Sequence, residues 1–134
     1  FPEIYADIVI STHAHGDHDG MCRVKAPMML DRFAGTIEIG DVKITGFPDK
    51  HVSNPENEIY DGIILEKAFG KHNYPPGENM EWDNSMILIE TGGMKILHWG
   101  DNRQNPPQEM FEQIGDIDIF ISAISDDGHI TTPK

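Results

Sequence analysis

Alternation of apolar and polar positions marks two β-hairpins in the chain. Residues 36–47 alternate on both sides of a Gly-Asp pair, and residues 85–91 and 94–98 flank a Gly-Gly pair. Alternation with a period of two is typical of strands that bury one face, and a short glycine-containing connection between two such runs favours a tight turn. We therefore predict two antiparallel hairpins.

Short apolar runs predict two further strands. Residues 8–10 read Ile-Val-Ile, which is typical of a buried strand, and residues 117–122 read Ile-Asp-Ile-Phe-Ile-Ser. Residues 52–83 show no period and are rich in proline and glycine. Loops of this length are uncommon in compact domains and are often functional, so we predict a lid or extra layer beside the site that is more mobile than the hairpins.

One helix is predicted after residue 105. Asn105 is the expected N-cap, two prolines follow it, and Gly115 is the expected stop. Apolar residues between these ends lie on one face, namely Met110, Phe111 and Ile114. Strands that come mostly as antiparallel hairpins, with a helix between some of them, predict an α/β fold with mixed sheets covered by helices.

Composition limits the classes of partner. The 134 residues suit one domain, residues 1–134, and the net charge of −13 makes nucleic acid an unlikely partner because phosphate backbones would be repelled. No apolar run approaches the roughly 20 residues that a membrane span requires. The single cysteine, Cys22, excludes both an intrachain disulfide and a cysteine-based zinc cluster.

The loop after the first buried strand concentrates side chains that bind metals. It reads S-T-H-A-H-G-D-H-D-G and carries His13, His15, Asp17 and His18. Imidazole nitrogen and carboxylate oxygen suit zinc, and also iron or manganese. Four candidate ligands in six residues are too many for one ion with an open position, whereas two adjacent ions would use them all. The alternative is a solvated polar loop without fixed geometry.

This loop resembles the main signature of the metallo-β-lactamase superfamily of metal-dependent hydrolases. The resemblance continues downstream, where V-K-I-T-G-F precedes His51 and K-I-L-H-W-G-D-N-R contains Asp101. It implies an αββα sandwich with mixed sheets. It also implies that His13, His15 and His51 hold one ion, that Asp17 and His18 hold a second, and that Asp101 bridges the two.

The resemblance leaves the final ligand open. In the branch similar to ascorbate-6-phosphate lactonases, a histidine near the position of His129 faces the site, and the last ligand comes later in the chain. His129 is therefore either a metal ligand or a residue that faces the substrate. The family places more strands before the signature than this chain does, so we expect an incomplete fold that is not stable alone. Further chain or a second copy, as in a homo-oligomer, would cover the exposed sheet edge.

The implied function is hydrolysis by a metal-bridging hydroxide. The expected substrate is a small ester, lactone or phosphoester, and the expected cofactors are two divalent ions, zinc above iron or manganese. Asp17 would orient the nucleophile or accept its proton. The alternatives are a nuclease similar to ribonuclease Z, against which the charge of −13 argues, and a metal-binding or partner-binding domain without turnover. We expect a cytoplasmic location.

Four other residues have simpler expected roles. We predict that His98 is a packed, hydrogen-bonded side chain, that Cys22 is buried, and that Trp82 and Trp99 pack in the core, with a place in the wall of the substrate pocket as the alternative for both tryptophans.

Overall fold

The structure, a computed structural model, describes residues 3–13, 20–51, 82 and 84–123, and strands dominate these residues. The strands are β1 (Ile4–Tyr5), β2 (Ile8–Ser11), β3 (Val24–Lys25), β4 (Met28–Asp31), β5 (Gly35–Ile39), β6 (Val42–Asp49), β7 (Asn84–Thr91), β8 (Met94–His98) and β9 (Ile119–Ile121). A 3-10 turn covers Met21–Arg23 and helix α1 spans Gln108–Ile114. No helix among the described residues is long and apolar enough to cross a membrane.

A five-stranded mixed sheet forms the centre of the described fold. Its order is β5-β6-β7-β8-β9, with antiparallel neighbours throughout except for the parallel pair β8-β9. The strands β5/β6 and β7/β8 confirm both predicted hairpins. Two smaller parallel pairs, β1-β3 and β2-β4, accompany the large sheet. The sequence did not predict β3 and β4, because strands of two and four residues are too short to show a period.

The central strand β7 is buried on both faces over its first five residues. Met86 lies opposite Phe47 on β6, and Leu88 lies opposite Leu97 on β8. The core cluster consists of Phe47, Met86, Leu88, Leu97, Trp99 and Ile114. Full burial of one large apolar side chain contributes about 1.5–3 kcal/mol, so this cluster contributes a large share of the stability of the sheet.

Helix α1 covers part of this core through Ile114, which is buried, and Met110, which packs against the cluster. The prediction that Asn105 caps the helix is wrong, since the cap is Pro107, with an extended ψ of 144° and no capping side chain. A residue that precedes proline is pushed out of the helical region. The Pro-Pro pair therefore delays the first turn. The predicted stop is confirmed, because the Gly115 N–H donates to the Phe111 carbonyl.

Two close contacts hold the β2-β4 pair against the large sheet. A β-carbon on Gly46 would lie 1.9 Å from the Phe33 carbonyl oxygen, so only glycine permits the β4–β5 connection to cross β6 there. In the second contact, the Ser85 N–H donates to the Thr12 carbonyl at 2.8 Å. This second contact joins the end of β2 to the start of β7 and thereby places His13 at the sheet edge.

Candidate metal centre

Three strands end, and one begins, at a single edge of the large sheet. Strand β7 runs antiparallel to β6 and β8, so its first residue lies beside their last residues. His51 follows β6 and Asp101 follows β8. His13 follows β2 and forms an isolated antiparallel bridge with Asn84, the first residue of β7. Antiparallel topology therefore gathers these side chains from distant parts of the chain.

The side chains of His13, His51 and Asp101 converge at this edge. Their ligand atoms all lie within 4.8 Å of one another. Asp101 Oδ2 is 3.5 Å from His13 Nε2 and 3.6 Å from His51 Nε2. The two imidazole rings meet edge to face, with centroids 5.0 Å apart. One carboxylate oxygen thus faces two imidazole nitrogens.

The spacing and chemistry of this group fit a divalent metal ion. Tetrahedral zinc with bonds of about 2.0–2.1 Å places its ligand atoms roughly 3.3–3.4 Å apart, which is close to the two observed separations. His13 is 1% exposed and Asp101 is 8% exposed. A buried carboxylate is normally paired or bound to a metal. His51 is half-buried as a residue, but its Nε2 is buried, as is that of His13.

The hydroxyl group of Thr12 orients the ring of His13. Thr12 Oγ1 lies 2.9 Å from His13 Nδ1, while Nε2 faces Asp101. A histidine that binds a metal through one nitrogen usually donates the hydrogen of its other nitrogen to a neighbour. Thr12 is placed to accept that hydrogen. Ser11 also holds this segment, because its hydroxyl donates to the His13 carbonyl at 2.9 Å.

The turn that carries Asp101 depends on Gly100. This glycine has a φ of +61°. A β-carbon there would lie 2.8 Å from Asn84 Oδ1 and 2.9 Å from Thr12 Oγ1. The turn therefore packs directly on the residue that orients His13, and a side chain at position 100 would disturb two of the three candidate ligands.

A buried polar network lies among the segments that carry the three candidate ligands. Asn84 Nδ2 donates to Asn102 Oδ1 at 3.0 Å, and Asn102 Nδ2 donates to Asp49 Oδ2 at 2.8 Å. Arg103 forms a bidentate pair with Asp49, at 3.0 Å through Nε and 2.6 Å through Nη2. The hydrogen bond to Asp49 raises the pKa of Arg103, which keeps the guanidinium charged at every ordinary pH.

Sequence reasoning did not identify Thr12, Asp49, Asn84, Asn102 or Arg103 as part of the site. Their hydrogen bonds cross between segments that are far apart in the chain, and such contacts leave no spacing in the sequence. The one usable signal was that four of these residues lie within two positions of a predicted ligand.

The remaining predicted ligands lie outside the described residues. They are His15, Asp17, His18 and His129, and the predicted lid over residues 52–83 lies outside as well, apart from Trp82. The placement of a second ion, and the bridging position predicted for Asp101, therefore stay predictions.

Of the other singled-out residues, His98 and Trp99 follow their predictions, whereas Trp82 is not part of the core cluster. His98 is half-buried and its Nδ1 accepts a hydrogen bond from the Gly100 N–H at 3.1 Å. Trp99 is buried in the core, and Trp82 is half-buried with its indole N–H directed at the Arg32 carbonyl. The prediction for Cys22 is wrong, because this thiol is exposed. Cys22 follows the histidine-rich loop in a 3-10 turn that has no buried residues.

Known proteins share this sequence pattern along nearly the whole chain. The family model described as a β-lactamase superfamily domain matches residues 1–133. A UPF0173 metal-dependent hydrolase of Pyrococcus abyssi is 26% identical over 129 residues, covering 93% of this chain and 56% of its own length. A protein of the same description from Thermus thermophilus is also 26% identical, over 92% of this chain and 55% of its own. The chain thus spans a little more than half the length of these curated relatives.

A solved structure shares the fold. It belongs to a Thermotoga maritima protein described as a candidate Zn-dependent hydrolase of the metallo-β-lactamase superfamily, with a TM-score of 0.55 and 23% identity. The match covers 89% of this chain and 45% of that protein. This likeness confirms the predicted α/β fold class with mixed sheets.

Proposed function

The chain belongs to the β-lactamase superfamily domain family, and from that membership we propose that it is a metal-dependent hydrolase whose ion is held by His13, His51 and Asp101. The observation that carries the proposal is the convergence of these three side chains within 4.8 Å at one sheet edge. The relatives described as metal-dependent hydrolases support the same reaction class.

Some residues of this chain would bind the ion, and others would keep the binding residues in place. A divalent ion supplies the chemistry when bound, since it lowers the pKa of water and polarises the bond to be cleaved. His13 and His51 offer neutral nitrogen donors, and Asp101 adds the negative charge that favours a cation. Burial of His13 and Asp101 keeps competing water away from two of the three donors.

We assign the finer features by the family resemblance. His15 would join the first group, Asp17 and His18 would hold a second ion, and Asp101 would lie between the two. Asp17 would orient the attacking water or accept its proton. His129 would either complete the second group or face the substrate. Zinc is the favoured ion, with iron and manganese as alternatives.

The favoured substrate is a small ester, lactone or phosphoester. A nuclease resembling ribonuclease Z is less favoured, because a net charge of −13 would repel a polyanionic substrate. A domain that binds a metal or a partner without turnover is the third alternative. Substrate identity follows from the site and not from the fold, so these alternatives require separate assays.

Metal binding is the first test. We expect the ion-free protein to bind Zn²⁺ in isothermal titration calorimetry and expect Asp101→Asn to weaken that binding by about a hundredfold or more, because loss of a ligand exceeds the tenfold to hundredfold cost of losing a supporting contact. Asp41→Asn is the matched control, since Asp41 is exposed in the β5–β6 turn. Equal Zn²⁺ affinity in Asp101→Asn and the wild type would refute the assignment.

Turnover is the second test. The zinc-loaded protein should hydrolyse members of a panel of small esters, lactones and phosphoesters, and His51→Gln should abolish that hydrolysis. Tight zinc binding without hydrolysis on any panel member would favour the non-catalytic alternative. Cleavage of RNA that weakens as salt is added would favour the nuclease.

A further inference from the structure

Two of the proposed ligands lie on short segments that pair with each other. His51 and Asn102 form an isolated antiparallel bridge, and the Arg103 N–H donates to the Lys50 carbonyl at 2.9 Å. Residues 49–51 therefore run alongside residues 101–103 in opposite directions. Each segment carries a ligand at one end and a charged residue two positions away.

The charged residues join at the opposite end of this pairing. Asp49 is 5% exposed and accepts hydrogen bonds from both the Arg103 guanidinium and the Asn102 side chain. The forked guanidinium matches a carboxylate in a fixed plane, so this pair specifies orientation as well as distance. The side-chain links thus tie the end of β6 to the turn that carries Asp101.

The third segment joins through Asn102. Its amide oxygen accepts from Asn84 Nδ2 at 3.0 Å, and Asn84 pairs with His13 through the backbone bridge. Asn84 and Asn102 are both fully buried. One connected set of side chains therefore reaches each of the three segments that carry His13, His51 and Asp101.

The main role of this network is not to stabilise the folded state. Asp49 is buried, whereas the Arg103 side chain is 41% exposed. The cost of removing the Asp49 carboxylate from water therefore offsets part of what the pair contributes to stability. What such a pair supplies is a defined geometry. At this place in the fold, the geometry it defines is the separation of His51 from Asp101.

We propose that Asp49, Asn102 and Arg103 form a positioning clamp that sets His51 and Asp101 in their ion-binding arrangement before any ion arrives. This inference rests on the proposed function and adds to it a role for residues outside the ligand group. Arg103 is the residue best suited to a test, because its side chain is 41% exposed and its replacement leaves little empty space.

The first arm of the test uses the ion-free protein. Proton–nitrogen NMR spectra of the histidine rings, with the His51 signals identified from a His51→Gln sample, should show one sharp set in the wild type. Arg103→Gln should shift, broaden or multiply that set. Lys43→Gln is the matched control, because it breaks the 2.9 Å pair between Lys43 on β6 and Glu90 on β7, which lies outside the clamp, and it should leave the His51 signals unchanged.

The second arm measures ion binding. Arg103→Gln should weaken Zn²⁺ binding about tenfold to a hundredfold, as loss of an outer contact does in other metal sites. It should also change the visible absorption of the Co²⁺-loaded protein, which reports ligand geometry. Arg103→Lys keeps the charge but loses the fork and should fall between the two. Ile114→Val lowers stability through the core and should change neither readout.

The two arms separate the clamp from the proposed function. If the wild type binds no ion, the proposed function fails and the His51 signals of the ion-free protein decide the clamp alone. If Arg103→Gln keeps wild-type His51 signals, Zn²⁺ affinity and Co²⁺ absorption, the clamp is overturned while the hydrolase proposal stands.

Discussion

The hydroxyl group of Thr12 is placed to influence which nitrogen of His13 binds an ion. Thr12 Oγ1 lies 2.9 Å from Nδ1, and Nε2 lies 3.5 Å from the Asp101 carboxylate. If the hydroxyl accepts a hydrogen from Nδ1, the lone pair of the ring lies on Nε2, so we expect Thr12 to set the donor atom of the proposed ligand.

Replacement of Thr12 tests this selection. Thr12→Val keeps the shape of the side chain and removes the acceptor, so Zn²⁺ affinity should fall about tenfold to a hundredfold in calorimetry. Thr12→Ser restores the hydroxyl and should bind close to wild type. Equal affinities in the valine and serine variants would show that the hydroxyl does not select the nitrogen.

Candidate ligands could be predicted where they lie in a recognisable sequence motif. Residues that are brought together only by the fold could not be predicted. His13, His51 and Asp101 were identified because each follows a strand within a recognisable pattern of residues. Asn84 and Asn102 are 0% and 1% exposed and their side chains bond each other, yet nothing in their local sequence separates them from ordinary turn asparagines. Their importance arises from strand pairing, which becomes visible only when β7 and the end of β8 are placed side by side.

The turn after β8 is the element on which the site depends most. Gly100 combines a positive φ with close packing against Thr12 and Asn84. Gly92 in the β7–β8 turn has a similar φ of +56°, but no described atom lies within 4 Å of the position of its absent β-carbon. Substitution of these two glycines therefore distinguishes the free-energy cost of a left-handed backbone from the cost of a steric clash with Thr12 and Asn84.

Alanine at each position should reveal that difference. Gly92→Ala should lower the free energy of unfolding by about 1–2 kcal/mol, the cost of left-handed backbone for a residue with a β-carbon. Gly100→Ala should lower it further and should also weaken Zn²⁺ binding, because Thr12 must move. Urea unfolding and calorimetry measure the two effects. Similar losses of stability in both variants would mean that the turn adapts to the added methyl group.

Elements with a clear period were predicted better than those without one. Both hairpins of the large sheet match their predicted residues to within a few positions, since alternation and turn glycines agree there. The start of α1 was placed too early because the effect of consecutive prolines outweighed the capping preference of Asn105. The pairing of β2 with β4 was not predicted, because parallel pairing joins strands without any local turn signal.

At the scale of the whole molecule, β9 presents an apolar edge. Its three residues are all exposed, with Ile121 at 45%, and β9 is the last strand of the large sheet within the described part of the chain. Exposed apolar edge strands are templates for association. Either further chain or a second copy would cover such an edge, as predicted from the sequence, and a second copy would make the chain self-associate.

A charge on β9 tests that expectation. Ile121→Lys should weaken any concentration-dependent association seen by sedimentation velocity, because an edge lysine opposes strand pairing. Met94→Lys is the matched control, since Met94 is 46% exposed beside the β7–β8 turn and is not part of β9. If both variants associate as the wild type does, the interface lies elsewhere.

The proposed ligands at positions 13, 51 and 101 are separated by roughly forty and fifty residues, so an ion bound to all three would close two large loops of chain. An ion that binds only the folded chain stabilises it by about 2.7 kcal/mol at a hundredfold excess over its Kd. With one cysteine, this chain has no intrachain disulfide, and the ion would serve as its removable cross-link. A chelator would then destabilise the folded chain, as a reductant destabilises a disulfide-bonded protein. The supply of metal would govern the resistance of the chain to proteolysis as well as its hydrolytic activity.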